Sequence, residues 1–485
     1  MKRSIIIIGL LAITISMFSQ TADDALRYSQ QYYQGTARNM AMGGSFGALG
    51  SDFSVASTNP AGMGVYRSSE FSMTPEVSAL RVSSTYNNSY AEDSRSIFNL
   101  SNLGYVSTKN LGHGPWKFFQ FSMGMNRLNN YNSNVIMQGE NLDNSRLDVY
   151  LEESNGVHYS DIDNAGGAYA FDLYPAWYTY LLDTIPGYDN YYYSPVPFAG
   201  THQQEIIRTK GSTNEWLMSF SGNYNEKFFV GATIGLPYIR YFRESTYSET
   251  DIADTIPYFN SWSVQENLAT TGWGVNLKLG VIYQPFNWVR IGAAFHTPTY
   301  YWSMRDTWYT THYADLEWTS PTSKSSITGN YKYSLSTPMR VLGDIGILIN
   351  KFGSISAEYE FTDYSKAKLS ATDYGFSGEN STIRNSYQAT HNIRVGTEWR
   401  ISNLSLRGGY ALYSSPYTKN LNDGARQSIS FGLGYKFDFV DVDFAYVRWT
   451  KNEDYYMYST ESIQPNEVQN SYTGQNFALT IRSRF

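Results

Sequence analysis

The sequence predicts an all-β chain: a transmembrane antiparallel β-barrel of about fourteen strands with a small N-terminal plug. Three observations carry that expectation. From Glu70 onward, apolar and polar residues alternate at period two through one segment after another. Tight turns and long polar connections alternate between those segments. The stretch from Tyr472 to Phe485 places Phe477, Leu479, Ile481 and Phe485 on one face of a strand, and Asn476, Thr480, Arg482 and Arg484 on the other.

Composition narrows the classes. The chain has 485 residues, enough for several soluble domains or one large barrel. It has no Cys, which excludes disulfides and thiolate metal sites. A net charge of −7 argues against a nucleic-acid partner. Aromatic residues make up 16% of the chain, with 43 Tyr, an excess that suits interfacial girdles where a ring sits in lipid and its hydroxyl meets water.

Taken in order, residues 1–20 read as a signal peptide. Lys2 and Arg3 precede an apolar run from Ile5 to Ile15, too short to span a bilayer, and cleavage is expected near Ser19 although Met17 is not small. Residues 21–69 read as the plug. Within it, 21–38 is expected to be one short helix, with Asp23 and Asp24 near its start and Gly35 at its end. Met40 to Gly50 is rich in small residues and suits tight packing inside something. Asn59-Pro60-Ala61-Gly62 reads as a turn.

Residues 70–485 read as the barrel with long external loops. Phe119, Phe121, Met123 and Met125 alternate with polar neighbours. So do Val275, Leu277, Leu279, Val281 and Tyr283, then Ile355 to Phe361, Ile393 to Trp399, Leu404 to Leu412, and Ile429 to Phe437. In a soluble sandwich the apolar face would meet a second sheet; in a barrel it meets lipid. Tight turns are expected at 225–227, 284–287, 350–351, 402–403 and 438, and long connections near 130–214, 244–271, 303–337, 365–390, 414–427 and 451–472. The largest, 130–214, carries Tyr191-Tyr192-Tyr193-Ser194-Pro195-Val196-Pro197 and is placed over the barrel mouth, either to help capture an apolar solute or as a variable surface loop.

The stretch Gly35 to Gly62, with Ala41-Met42-Gly43-Gly44, Asp52 and Asn59-Pro60-Ala61-Gly62, resembles the N-terminal plug of the FadL/TodX outer-membrane channel family. Arg290-Ile291-Gly292-Ala293-Ala294-Phe295-His296-Thr297-Pro298, Glu358 to Ser365, and Leu406 to Tyr410 followed by Ser415-Pro416 are also similar to it, in the family's order. The resemblance implies a fourteen-stranded barrel in the cell outer membrane, blocked from the periplasmic side by a hatch. It implies passive uptake of long-chain fatty acids or other hydrophobic small molecules. It assigns Gly43, Gly44, Asp52, Asn59, Pro60, Ala61 and Gly62 to the hatch, and makes Gly124 the candidate for a strand distortion that opens the wall laterally. Outer-membrane lipid is the expected surrounding, and the strand ending at Phe485 the expected contact for the barrel-assembly machinery.

Arg394, Arg400 and Arg407 fall on expected lumen faces of neighbouring strands. They are candidates for pairing a solute carboxylate, or else neutralise Glu358, Glu360 and Glu398 in a lumenal network. No enzyme, metal site or cofactor is expected. There is no His-Glu-x-x-His helix and no Gly-x-Ser-x-Gly elbow. The six His, at 113, 158, 202, 296, 312 and 391, are scattered. The alternatives are a haem-binding receptor using His158 or His202, an adhesive or structural barrel, and a hydrolase assembled from distant strands.

Overall fold

The computed structural model describes residues 21–485 apart from Tyr33, His113, 195–199, Lys419, Asn420, Glu461 and Gln464. The expected signal peptide, and Pro195-Val196-Pro197 of the tyrosine-rich stretch, lie outside the described residues.

Fourteen strand passes, each antiparallel to its neighbours, close a barrel. They are β1 (Glu70–Tyr86), β2 (Ser89–Asn110), β3 (Trp116–Asn130, continued by Ser133–Asn141), β4 (Thr201–Tyr224), β5 (Phe228–Thr250), β6 (Ser261–Phe286) and β7 (Val289–His296 and Tyr300–Asp315). Then follow β8 (Thr322–Ser325, Gly329–Ser336 and Arg340–Ile349), β9 (Gly353–Asp363 and Lys368–Ser370), β10 (Ala389–Ile401), β11 (Leu404–Tyr413), β12 (Arg426–Lys436), β13 (Val440–Tyr455) and β14 (Val468–Arg484). β7 and β8 break at the same level, where Pro298 and Pro338 each lack a ladder donor. β1 pairs with β14 to close the wall, and Ser69 and Phe485 exchange both backbone bonds at 3.1 Å.

The alternation follows from the surroundings. Val275, Leu277, Leu279, Val281 and Tyr283 of β6 all face outward and are exposed, while Asn276 and Lys278 between them are buried in the lumen. Exposed apolar side chains in such rows are stable only against lipid.

Two expectations need correction. The long connections are mostly strand: β3 runs to Asn141, β4 starts at Thr201, β5 runs to Thr250, and β6 starts at Ser261. Beyond the lipid neither strand face has to be apolar, so the period-two signal fades while the backbone ladder continues. The expected helix over 21–38 is two helices, α1 (Ala22–Ser29) and α2 (Ala37–Ala41), joined by an extended segment. Tyr32 in that segment gives its N–H to Leu128 O of β3 at 2.9 Å, so the backbone is satisfied by the wall instead of by a helix.

The described part of the loop 142–200 folds over one end of the barrel. It holds α3 (Arg146–Ser154), α4 (Tyr159–Ile162) and α5 (Leu173–Tyr178), and buries Leu147, Tyr150, Ile162, Leu173 and Leu181 against Tyr247 and Trp262 of the upper strands. A sixth helix, α6 (Ser377–Ser386), packs beside α1.

Candidate functional site

The N-terminal segment fills the lumen because the wall is carved to receive it. Asn59 caps the 3₁₀ turn Pro60–Val65 by accepting from Ala61 N at 3.2 Å, and its Nδ2 donates to Asp344 of β8 at 2.7 Å. Gly231 and Gly280, paired across β5 and β6, face this turn; a Cβ at Gly280 would collide with the Asn59 side chain. Gly396 and Gly409, paired across β10 and β11, do the same for Met42 and Gly43. Gly43 and Gly44 themselves have φ of 65° and 80°, a left-handed turn that follows α2 and that favours glycine. Asp52 accepts from Thr36 Oγ1 at 2.8 Å and Ser54 N at 3.0 Å, tying the start of α2 to the next turn. Gly62 O accepts from Ser51 N at 3.0 Å.

Polar bonds from 36–66 reach many strands. Arg38 grips Glu398 of β10, Ser45 meets Ser356 of β9 at 3.0 Å, and Ser57 donates to Glu215 of β4 at 3.0 Å. Thr58 O lies 2.6 Å from His296 Nε2 of β7. The three candidate arginines belong to this layer. Arg394 is fully buried, paired with Glu358 and, at 3.0 Å, with Glu360. Arg407 bridges Glu398 and Asp443, both at 2.7 Å, and Arg400 binds Glu398 at 2.5 Å. Their bonds follow the lumenal-network alternative, and none of the three lines the cavity described next.

Above the plug lies a cavity of about 770 Å³, bounded below by the segment 21–34. That volume suits a small-molecule site. Tyrosines 32, 131, 241, 417, 455 and 472 supply much of its lining. Several of its charged groups are paired: Arg27 with Asp24, Arg243 with Glu205 and Glu266 behind the lining, and Lys451 with Glu453, while Arg95 donates to Asn134 Oδ1 at 3.1 Å. Arg426 of β12 is held by aromatic rings instead. Its guanidinium is sandwiched between Tyr32, 4.0 Å from the ring centre, and Trp449, 3.9 Å away, and it makes no ion pair among the described residues. Two aromatic faces hold the cation and leave its edge for a ligand. Sequence reasoning passed over Arg426, whose lumen-facing position looks like that of Arg394; only the position of Tyr32 sets them apart.

The wall beside this cavity has a gap. β2 and β3 pair from Asn110↔Phe118 up to Asn102↔Asn126 and no further. Above that level the ladder is replaced by side-chain bonds: Arg95 of β2 donates to Asn134 Oδ1 of β3 at 3.1 Å, and at the top Asn87 Nδ2 donates to Glu140 O at 2.8 Å. The gap's lower edge lies in the apolar band, beside Phe98 and Leu100. The cavity reaches it through Arg95, Ile97 and Asn129. Gln30, Gln31, Tyr32, Gln34 and Gly35 lie across it, tied to the wall among the described residues by Tyr32 N to Leu128 O, Asn129 Nδ2 to Gln30 O at 3.2 Å, and Ser101 Oγ to Gly35 O at 3.0 Å. Gly124, the expected opening, sits two residues below the gap in the paired region opposite Gly104. These two glycines make room for the ring of Phe53.

His158 is exposed and stacks on Tyr159, and His202 lies on β4; no cluster of His, Asp and Glu fit for a metal forms among the described residues.

The family described as "Outer membrane protein transport protein (OMPP1/FadL/TodX)" matches residues 216–485, more than half of the chain. No curated protein matches. Among solved structures, a Pseudomonas aeruginosa FadL homologue is 13% identical, with 94% of this chain and 100% of that chain covered and a TM-score of 0.56. The P. putida toluene transporter TodX is 13% identical, with 94% and 99% covered and a TM-score of 0.55. At these identities the likeness is one of fold.

Proposed function

This chain belongs to the FadL/TodX family of outer-membrane transport proteins, and from that premise we propose that it carries hydrophobic carboxylates, long-chain fatty acids foremost, passively across the outer membrane. The observation that carries the substrate class is Arg426, a cavity cation held between Tyr32 and Trp449 with no carboxylate partner among the described residues. A neutral aromatic solute, such as the toluene for which TodX is named, would have no use for that charge.

The hatch, in this reading, divides into two parts. Residues 36–66 are the fixed part: their bonds are numerous, buried and spread over the wall. The segment from Gln30 to Gly35 is the moving part, tied to the wall by three hydrogen bonds among its described residues. A solute anion that draws Arg426 away from Tyr32 frees that segment, and the solute leaves sideways between β2 and β3. Asn59, Pro60 and Ala61 keep the pore shut and do not move.

Flux into proteoliposomes tests the reading. Saturable uptake of a long-chain fatty acid is expected. Arg426→Gln is expected to raise the half-saturating concentration about tenfold or more, since a charge-assisted bond contributes roughly 1.5–3 kcal/mol. Uptake of the matching alcohol is expected to stay unchanged. Fatty-acid uptake no faster than into empty vesicles overturns the proposal.

A further inference from the structure

The outer surface of β5 to β8 carries charge that transport does not use. On β5 the outward residues Phe228, Val230, Ala232, Ile234, Leu236 and Tyr238 are all apolar or aromatic. That run climbs about 25 Å once strand tilt is allowed for, the height of an outer-membrane apolar band. The next outward residue is Arg240. In the ladder Arg240 pairs with Thr271 of β6, Thr271 with Arg305 of β7, and Arg305 with Lys332 of β8. Three exposed cations thus share one rung: Arg305 and Lys332 are adjacent, about 5 Å apart, Arg240 is about 10 Å from Arg305 across Thr271, and the rung is about 15 Å from end to end. Directly below them lies an aromatic girdle: Tyr238 packs on Trp273 with ring centres 4.6 Å apart, and Tyr300 and Trp302 are exposed on β7.

None of the three cations has an ion-pair partner among the described residues. Arg240 covers the ring of Phe242, 4.9 Å away. The cleft at Arg305 and Lys332 also holds Asn330, Tyr331, Thr372 and Asp373, whose carboxylate accepts from Tyr331 OH at 2.8 Å. Several other rim cations are matched: Arg81 with Glu92, Arg208 with Glu244, Lys366 with Asp363. The rung lies at the end of the barrel away from the paired Ser69 and Phe485, on the side of the long loops, which in outer-membrane barrels is the external side.

We propose that this rung is a binding site for the phosphorylated headgroup of an outer-leaflet glycolipid. Arginine forks match phosphate oxygens in pairs, and Lys332 adds a point charge beside Arg305. The apolar band and the aromatic girdle below accept the acyl chains and the sugar edge. Thr271, Asn330 and Thr372 offer hydrogen bonds to the sugar hydroxyls. The inference rests on the family's outer-membrane location but not on which solute the lumen carries.

Native mass spectrometry of the full chain in detergent tests it, with three probes added: a bisphosphorylated lipid A-type glycolipid, its dephosphorylated form, and phosphatidylglycerol. One bisphosphorylated glycolipid is expected to bind, ahead of both other probes. Arg240→Gln, Arg305→Gln and Lys332→Gln are each expected to weaken it about fivefold, and together about a hundredfold. Arg448→Gln, an outward rim cation on β13, is expected to leave it unchanged. Heat-modified gel migration shows that each variant is folded, and membrane fractionation reads the location separately. Equal binding by the triple variant, or equal affinity for phosphatidylglycerol, overturns the site.

Discussion

Arg38 of the plug and Glu398 of β10 meet through two parallel hydrogen bonds, Nε to Oε2 at 2.8 Å and Nη2 to Oε1 at 3.0 Å. Arg407 adds a third bond to the same carboxylate at 2.7 Å and continues to Asp443, which binds Arg482 at 2.6 Å. The plug is therefore one member of a charge network whose other members belong to the wall. Removing one partner of such a network strands buried charge.

Glu398→Gln leaves Arg38, Arg400 and Arg407 facing a neutral amide and is expected to cost about 3–5 kcal/mol of plug docking. Hydrogen exchange checks it: protection of 36–66 is expected to fall while that of the barrel strands holds. Arg38→Ala, which leaves Glu398 with Arg400 and Arg407, is expected to do less. Unchanged protection in Glu398→Gln would show that the network does not hold the plug.

Gly280→Val places a side chain where Asn59 sits and is expected to displace the Asn59–Ala61 turn, at about 1–3 kcal/mol of overpacking. The barrel wall has room to keep its fold, so the expected sign is raised ion conductance in planar bilayers. Wild-type conductance from a folded variant would contradict the seat.

The pH dependence of the external cap turns on His312. It lies on β7, ten residues beyond Trp302 where the outward apolar band ends, and is clear of the membrane. Tyr150 of α3 is 2.9 Å from its Nε2, and Trp262 stacks on it. Burial pushes His312 down to about 3, with Arg146 adding to the effect. Its stabilising share is thus complete above about 6.5, where it is neutral whether the cap is docked or not, and is lost as pH falls from there toward 3. Asp172 and Glu249 are pushed up by burial and act with the opposite sign, losing stability as pH rises. The difference between wild type and His312→Gln isolates the histidine. Between pH 6.5 and 5 the wild-type cap is expected to lose protection about tenfold per unit relative to the variant. Parallel curves would contradict this.

The parts of the fold that lipid enforces were legible in the sequence. The outward rows on β6 and β10 to β12 alternate because every second side chain meets hydrocarbon. The upper halves of β3 to β7 were not legible, because no solvent contrast acts on a polar strand outside the membrane. The pairing of Arg394 with Glu358 was within reach, since the two stand directly opposite in the β9–β10 ladder. Arg426 was not, because its aromatic clamp takes Tyr32 from a segment nearly four hundred positions away whose conformation depends on a gap between strands. The tie between Asn59 and Asp344 was hidden for the same reason: the two stand 285 positions apart.

Two cross-links test the division of the hatch most directly, and the absence of native Cys makes both clean. Ser45→Cys with Ser356→Cys ties the fixed part to β9 at positions whose hydroxyls are 3.0 Å apart. Gln30→Cys with Asn129→Cys, joined by a short reducible linker, ties the moving part across the gap. Fatty-acid flux into proteoliposomes is expected to be unchanged by the first link, abolished by the second, and restored on reduction. Flux blocked by the first link and untouched by the second would contradict lateral release and put the moving part at 36–66.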